Sequence, residues 1–165
     1  MRSCVRFSLP SDAEFAPFGR WIRPPLVPGD RLDLGFALDT GGNAGAVARA
    51  HVNHVRATTL PTRIASLEQH PRSWQAFLPF DVARYIVVVT GTRPDGGPDP
   101  QAVHAFLLSG AVGVAYAPGT WHAGATVLDR AGHFTVLWPR APHLAEGGPG
   151  DTIRADLPEP IELVS

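Results

Sequence analysis

In SLEQHPRSWQAFLPFD, residues 66–81, a carboxylate, an imidazole and a carboxamide follow one another as Glu68, His70 and Gln75. On an extended chain successive side chains point to opposite faces, so Glu68 and His70 share one. A Glu and a His side by side can ligate a metal ion or carry a proton between them. A half-exposed strand that holds two polar residues has the same spacing, so this stretch leaves both readings open. A second stretch, GVAYAPGTWHAGATVL (113–128), sets His122 just behind a Pro118-Gly119 turn.

The elements that must position these residues are mostly short strands. Pro and Gly number 17 each and are spread along the chain without a repeat. Breakers spaced between short apolar runs predict strands and tight turns. Strands are expected at 47–58, 64–70, 73–80, 84–90, 112–117, 124–129, 133–138 and 160–164. The run RYIVVVT (84–90) has the continuous β-branched character of a strand buried on both faces. Two helices are expected. SDAEFAPFG starts with Ser11 as cap and Glu14 as its capping-box partner, and ends at Gly19. In PQAVHAFLLSG, Asp99 as cap, Pro100 at the first position and Gly110 at the end predict a helix over 100–109. GGNAG (41–45) and AEGGPGD (145–151) read as loops. Many short strands with two helices point to an antiparallel barrel or jelly roll, with room inside for one small ligand.

Bulk properties narrow the partners. The 165 residues suit a single domain spanning 1–165. Lys plus Arg is 14 and Asp plus Glu is 15, a balance without the basic footprint of nucleic-acid binding. Cys4 is the one cysteine, so an intrachain disulfide and cysteine-ligated zinc are excluded. The N-terminal stretch has no apolar core of a signal peptide, and no window approaches a membrane span. These features predict a cytoplasmic protein with a small-molecule partner.

The Pro-Gly turn followed by His122 resembles the second motif of cupins, small jelly-roll barrels. Glu68-x-His70-x4-Gln75 resembles the first, with changed residue types. The chain resembles more narrowly the ureidoglycolate lyase (ureidoglycolate hydrolase) family, from about Phe15 to Leu137. Leu67 to Pro79 carries the strongest block, with Glu68, His70, Pro71, Gln75, Ala76, Phe77 and Pro79 in order. Tyr116, Trp121 and His122 carry a second block. The resemblance implies a cupin-type barrel, a homodimer, and a carbon–nitrogen lyase of amidine-lyase type that splits ureidoglycolate into glyoxylate and urea. A related enzyme on another small substrate, or a non-catalytic metabolite-binding cupin, fits the same scaffold. Departures from the family pattern include His104, and His54 (or Arg56 with a small gap), where the family carries arginine. Trp121-His122-Ala123-Gly124 stands for its Trp-His-His-Pro, and Leu137-Trp138-Pro139 for an apolar-Asp-Arg triplet. Lost arginines imply altered carboxylate recognition.

The resemblance assigns His70, His122 and Glu68 to catalysis, with the two histidines as a proton-carrying pair and Glu68 orienting one imidazole. It assigns Gln75, Tyr116, Trp121, His104 and His54 to substrate binding. Glu68, His70, Gln75 and His122 also form a mixed nitrogen–oxygen donor set suited to a divalent ion such as Ni, Mn or Zn. His51, His133 and His143 match no motif, and Arg63 and Arg72 read as solvated surface residues.

Overall fold

The computed structural model describes residues 4–35, 47–140 and 152–165. One short helix, α1 (Asp12–Phe15), follows strand β1 (Cys4–Arg6). Ser11 caps α1 as expected, its hydroxyl accepting the Glu14 N–H at 3.3 Å. The other elements are β2 (Gly19–Ile22), β3 (Val47–Val55), β4 (Thr62–Gln69), β5 (Gln75–Pro79), β6 (Arg84–Thr92), β7 (Pro98–Ser109), β8 (Gly113–Tyr116), β9 (Trp121–His122), β10 (Thr126–Leu128), β11 (Gly132–Arg140) and β12 (Ile153–Val164). The mainly-β expectation holds. The expected loops at 41–45 and 145–151, and His143, lie outside the described residues.

The strands form two sheets. One has the order β1-β12-β4-β9-β6-β10, with β7 on the other side of β6; the second has the order β2-β8-β5-β11-β3. All pairings except β1 with β12 are antiparallel among the named strands. The inner faces meet in an aromatic-rich core that includes Phe15, Tyr85, Val87, Phe106, Tyr116 and Phe134. A second cluster, with Leu67, Ile86, Val88, Trp121 and Ile161, covers the opposite face of the first sheet. Tyr85 to Val89 are therefore all buried, as the unbroken β-branched run predicts.

The expected helix at 100–109 is instead the long strand β7, paired with β6 from Arg84↔Ser109 to Thr90↔Val103. The local signal was real chemistry with a different outcome. Asp99 Oδ1 accepts the Gln101 N–H at 2.9 Å, the bond a helix cap would make, here closing an Asx turn. His104, Phe106 and Leu108 then face one side and Val103, Ala105 and Leu107 the other. A strand apolar on both faces shows no period that separates it from a buried helix.

Candidate active site

Glu68 sits at the end of β4, and its direct partners are His122 on β9 and Arg154 on β12. His122 is also paired with Val89, and Val89 with His104. His104, Val89, His122, Glu68 and Arg154 thus form one row across five strands, all on one face. Residues directly opposite in an antiparallel ladder point the same way.

A turn delivers His122 to that row. Gly119 has φ of +78° behind Pro118, the backbone of a type II turn that favours glycine at this position. The Gly119 N–H donates to the His70 carbonyl at 2.9 Å, so the turn is fastened to the backbone of the second histidine. The Thr120 hydroxyl donates to the Phe18 carbonyl at 2.9 Å. Beyond the turn, the Ala123 N–H bonds Val88 at 3.0 Å.

The side chains converge. One ligand atom each from Glu68, His70 and His122 lies within 4.8 Å of the others. His122 Nε2 is 3.0 Å from Gln75 Oε1 and 3.8 Å from Glu68 Oε1. The His70 and His122 ring centroids are 5.4 Å apart. Tyr116, the direct partner of Gln75 on β8, stacks on His122 at 4.1 Å and 14°. Trp138 packs on His70 at 4.0 Å and donates its indole N–H to Ser73 Oγ at 2.8 Å. Thr152 Oγ1 lies 3.3 Å from His70 Nδ1.

Electrostatics set His122 apart from an ordinary surface histidine. His122 is 1 % exposed. Burial lowers its pKa to about 3; the Thr120 carbonyl works against that shift and neighbouring His70 adds to it. His122 is therefore a neutral imidazole at pH 7, which revises its expected part in a titrating pair. Its Nδ1–H donates to the Thr120 carbonyl at 2.9 Å, so that carbonyl, and not Glu68, sets the tautomer. Nε2 is left with its lone pair directed at Gln75 and Glu68. Burial also raises the Tyr116 phenol, and the Glu68 carboxylate raises it further.

These residues fit a divalent cation. If Gln75 presents its oxygen, three electron-rich atoms, His122 Nε2, Gln75 Oε1 and Glu68 Oε1, face one another with no proton among them, an arrangement that a cation stabilises. The second-sphere bond from Nδ1 to a carbonyl is also the usual companion of a ligating imidazole.

Two clefts flank the group. One, of about 240 Å³, is lined by His51, Asn53, Glu68, His70, Gln75, Phe77, Val136, Trp138, Thr152 and Arg154. The other, of about 290 Å³, is lined by Ser66, Leu67, Glu68, His122, Gly124 and Arg154. Glu68 and Arg154 belong to both.

This chain's pattern is shared well beyond it. The ureidoglycolate lyase family profile matches residues 3–156. The chain belongs to that family. A ureidoglycolate lyase of Burkholderia mallei (strain NCTC 10229) is 34 % identical over 162 residues, covering 92 % of this chain and 88 % of the relative. One from Schizosaccharomyces pombe is 42 % identical over 151 residues, covering 73 % and 76 %. Among solved structures, RmlC from Streptococcus suis in complex with dTDP-D-xylose aligns with a TM-score of 0.42 and 14 % identity, over 57 % of this chain and 44 % of that one.

Set against the residues singled out from the sequence, the structure brings Glu68, His70, Gln75, Tyr116 and His122 together. It does not bring the other three. Trp121 alternates with His122 on β9, so it points to the opposite face, packs with Leu67 and Ile86, and donates its N–H to the Gly96 carbonyl at 3.2 Å. His104 lies on a strand, not a helix. It shares the inner face but stands two strands from His122, about 10 Å away, beside Phe18 and Phe106. His54 faces outward on β3 and stacks on His133 at 4.3 Å, which in turn bonds Asp81 at 2.9 Å.

Alternation explains the last error and supplies what was missed. His51 and Asn53 pair with Val136 and Phe134, both core-facing, and so enter the cleft. Trp138, Thr152 and Arg154 were also missed. Trp138 alone carried a signal: it occupies the middle of a triplet where the family pattern has Asp.

Proposed function

We propose that this chain is a carbon–nitrogen lyase of amidine-lyase type that splits ureidoglycolate into glyoxylate and urea. The observation that carries the reading is the convergence of Glu68, His70 and His122 beside a cleft, in a member of this family. The relatives' names supply the substrate; the geometry supplies parts suited to it.

The reaction takes a proton from the hydroxyl of the carbinolamide carbon. The C–O electrons become a carbonyl, the C–N bond breaks, and the ureido nitrogen takes a proton. Glu68 is the proton carrier in this scheme. Its carboxylate accepts the hydroxyl proton and returns it to the ureido nitrogen, so the protein ends as it began. His122, neutral and held by Thr120, orients the reacting centre through Nε2. His70, clamped between Trp138 and the Thr152 hydroxyl, fixes the other side. The Gln75 carboxamide and, across the cleft, His51 and Asn53 offer donors and acceptors matched to a urea group. A divalent ion, held by Glu68, His70, His122 and Gln75, would supply Lewis-acid polarisation of the substrate oxygens. Nickel, manganese and zinc all suit this donor set.

Purified protein incubated with ureidoglycolate, with and without added divalent metal, tests the reading. Glyoxylate and urea appearing in equal amounts above the spontaneous rate is the expected result. Neither product above that rate under any metal condition refutes it.

A homodimer is part of the same proposal. Among the described residues, strand β3 is a nine-residue edge of its sheet. Val52 on its outer face is 64 % exposed and Phe80, just past β5, is 80 % exposed. A long edge with nearby apolar side chains is a template for pairing with another chain. Light scattering at micromolar concentration should give twice the chain mass, and Val52→Lys should lower it; a monomeric wild type counts against the proposal.

A further inference from the structure

We propose that Arg154 is the carboxylate-reading residue of this site, a specificity determinant that no sequence motif points to. The inference rests on the proposed reaction for its substrate, an acid whose two-carbon glycolate part stays anionic from substrate to product.

Arg154 is the one arginine or lysine among the described residues that line the two clefts, and it lines both. Its place is set by sheet register. Strand β12 puts Arg154 directly opposite Glu68, which is itself directly opposite His122. Just before β12, two residues ahead of Arg154, Thr152 meets His70. The chain entering β12 therefore addresses both members of the His70–Glu68 pair.

The guanidinium is anchored and still open to solvent. Arg154 Nε lies 3.3 Å from Glu68 Oε2, while the side chain is 77 % exposed. A guanidinium has five N–H donors in a planar fork. One held through Nε can turn its two terminal nitrogens to a second, planar acceptor, and a carboxylate matches that spacing. An exposed ion pair by itself contributes little to stability. A cation in this row therefore does more for an anionic ligand than for the fold. With its carboxylate on Arg154, a two-carbon acid sets its C2 oxygen one strand spacing away, toward Glu68 Oε1 and His122 Nε2.

The test uses direct binding as well as turnover. Sodium glyoxylate is titrated calorimetrically into wild type, Arg154→Gln, Arg154→Lys and, as a control, Arg63→Gln. Arg63 is on β4 opposite Glu162 and contacts neither cleft. Arg154→Gln should weaken glyoxylate about 10- to 100-fold, the usual effect of losing a charge-assisted pair. Arg154→Lys should fall between, and Arg63→Gln should match wild type. Inhibition by urea, the neutral product, should not change. With ureidoglycolate, Arg154→Gln should raise KM by a similar factor and leave kcat within about threefold.

Glyoxylate affinity in Arg154→Gln within twofold of wild type overturns the proposal. So does a parallel loss of urea inhibition, which would mean collapse of the site rather than loss of anion reading. A wild type that binds glyoxylate through Arg154 but never releases urea from ureidoglycolate separates the two claims: the anion site stands and the reaction assignment falls.

Discussion

Lowering the pH from 7 to 5 should destabilise the ligand-free protein by about 2 kcal/mol through His122 alone. In the folded chain its pKa is about 3, against 6.5 for a free imidazole. In that interval the unfolded chain binds a proton that the folded chain refuses, so stability falls as pH falls. At pH 5 the unfolded imidazole is about 97 % protonated and the folded one is not; at pH 7 both are mostly neutral. With about 1.4 kcal/mol per pKa unit, the difference between the two pH values comes to about 2 kcal/mol. It hardly depends on the exact folded value, because the window is set from above by the unfolded pKa. Asp81, Asp95 and Asp129 have folded pKa values held below the 3.8 of a free aspartate by their hydrogen-bond partners. Their contributions are present above that value and are lost only below about pH 4, outside the window. The assay is urea unfolding in EDTA, followed by fluorescence of the 4 tryptophans, for wild type and His122→Gln at pH 7, 6 and 5. The gap between them should narrow or reverse toward pH 5 by about 2 kcal/mol. A gap that stays constant across the three pH values would show that His122 titrates normally, and the neutral-imidazole argument would be lost.

Glu68→Gln should reduce kcat by about 10²- to 10⁴-fold, the usual range for a general acid–base group, with a melting temperature close to wild type because Glu68 is partly exposed; urea release and a thermal scan check both. His122→Ala should remove turnover and also cost about 2 kcal/mol or more, since the ring is buried against Tyr116, whereas His104→Ala should leave kcat within about threefold; the two are compared at saturating substrate. After chelation, nickel, manganese or zinc should titrate back calorimetrically near one per chain in wild type, and His70→Ala should weaken that binding at least about tenfold; equal uptake by the variant would remove His70 from the ligand set.

Most signals decided within a turn or along one extended stretch survived folding, the Asp99-Pro100 cap that opens a strand instead of a helix being the exception, and signals that depend on cross-strand neighbours did not. The turn at Pro118-Gly119 is decided within four residues, and it places His122 as expected. The pair Glu68 and His70 follows from alternation at the end of β4, with His70 the first residue beyond it. By contrast, the strand at 47–55 carries Arg49, His51 and Asn53 on one face and Ala50, Val52 and His54 on the other, so neither face declares itself as the interior. Only its pairing with Phe134 and Val136 on β11 decides the matter, and the choice fell on His51 and not His54. Trp121 shows the same limit from the other side. Adjacency to His122 in sequence guarantees that the two side chains point apart on a strand, which makes proximity in a motif a poor guide to membership of a site. Arg154 is 86 positions from Glu68 in sequence yet directly opposite it in the sheet, with no motif to announce it.

The row His104–Val89–His122–Glu68–Arg154 also explains why one sheet can hold groups of such different character in so small a space. Along the row burial falls from the centre outward: Val89 and His122 are buried, Glu68 is intermediate, and His104 and Arg154 are exposed at the two ends. Desolvation acts most strongly at the centre, where it keeps His122 neutral and the Tyr116 phenol protonated. At the edge, water supports a full charge on Arg154 without a deep counter-charge. A neutral lone pair, a carboxylate and a guanidinium thus succeed one another at single-strand spacing of about 4.8 Å. Those are the groups needed to hold a cation or a hydroxyl, to move a proton and to bind a carboxylate, in an order the sheet imposes. Exchanging the identities of Glu68 and His122 would put a carboxylate in the driest position and an imidazole in a wetter one. The same residues would then lose both the neutral ligand and the accessible base, so the register of β9 against β4, more than the residue types alone, makes the site usable.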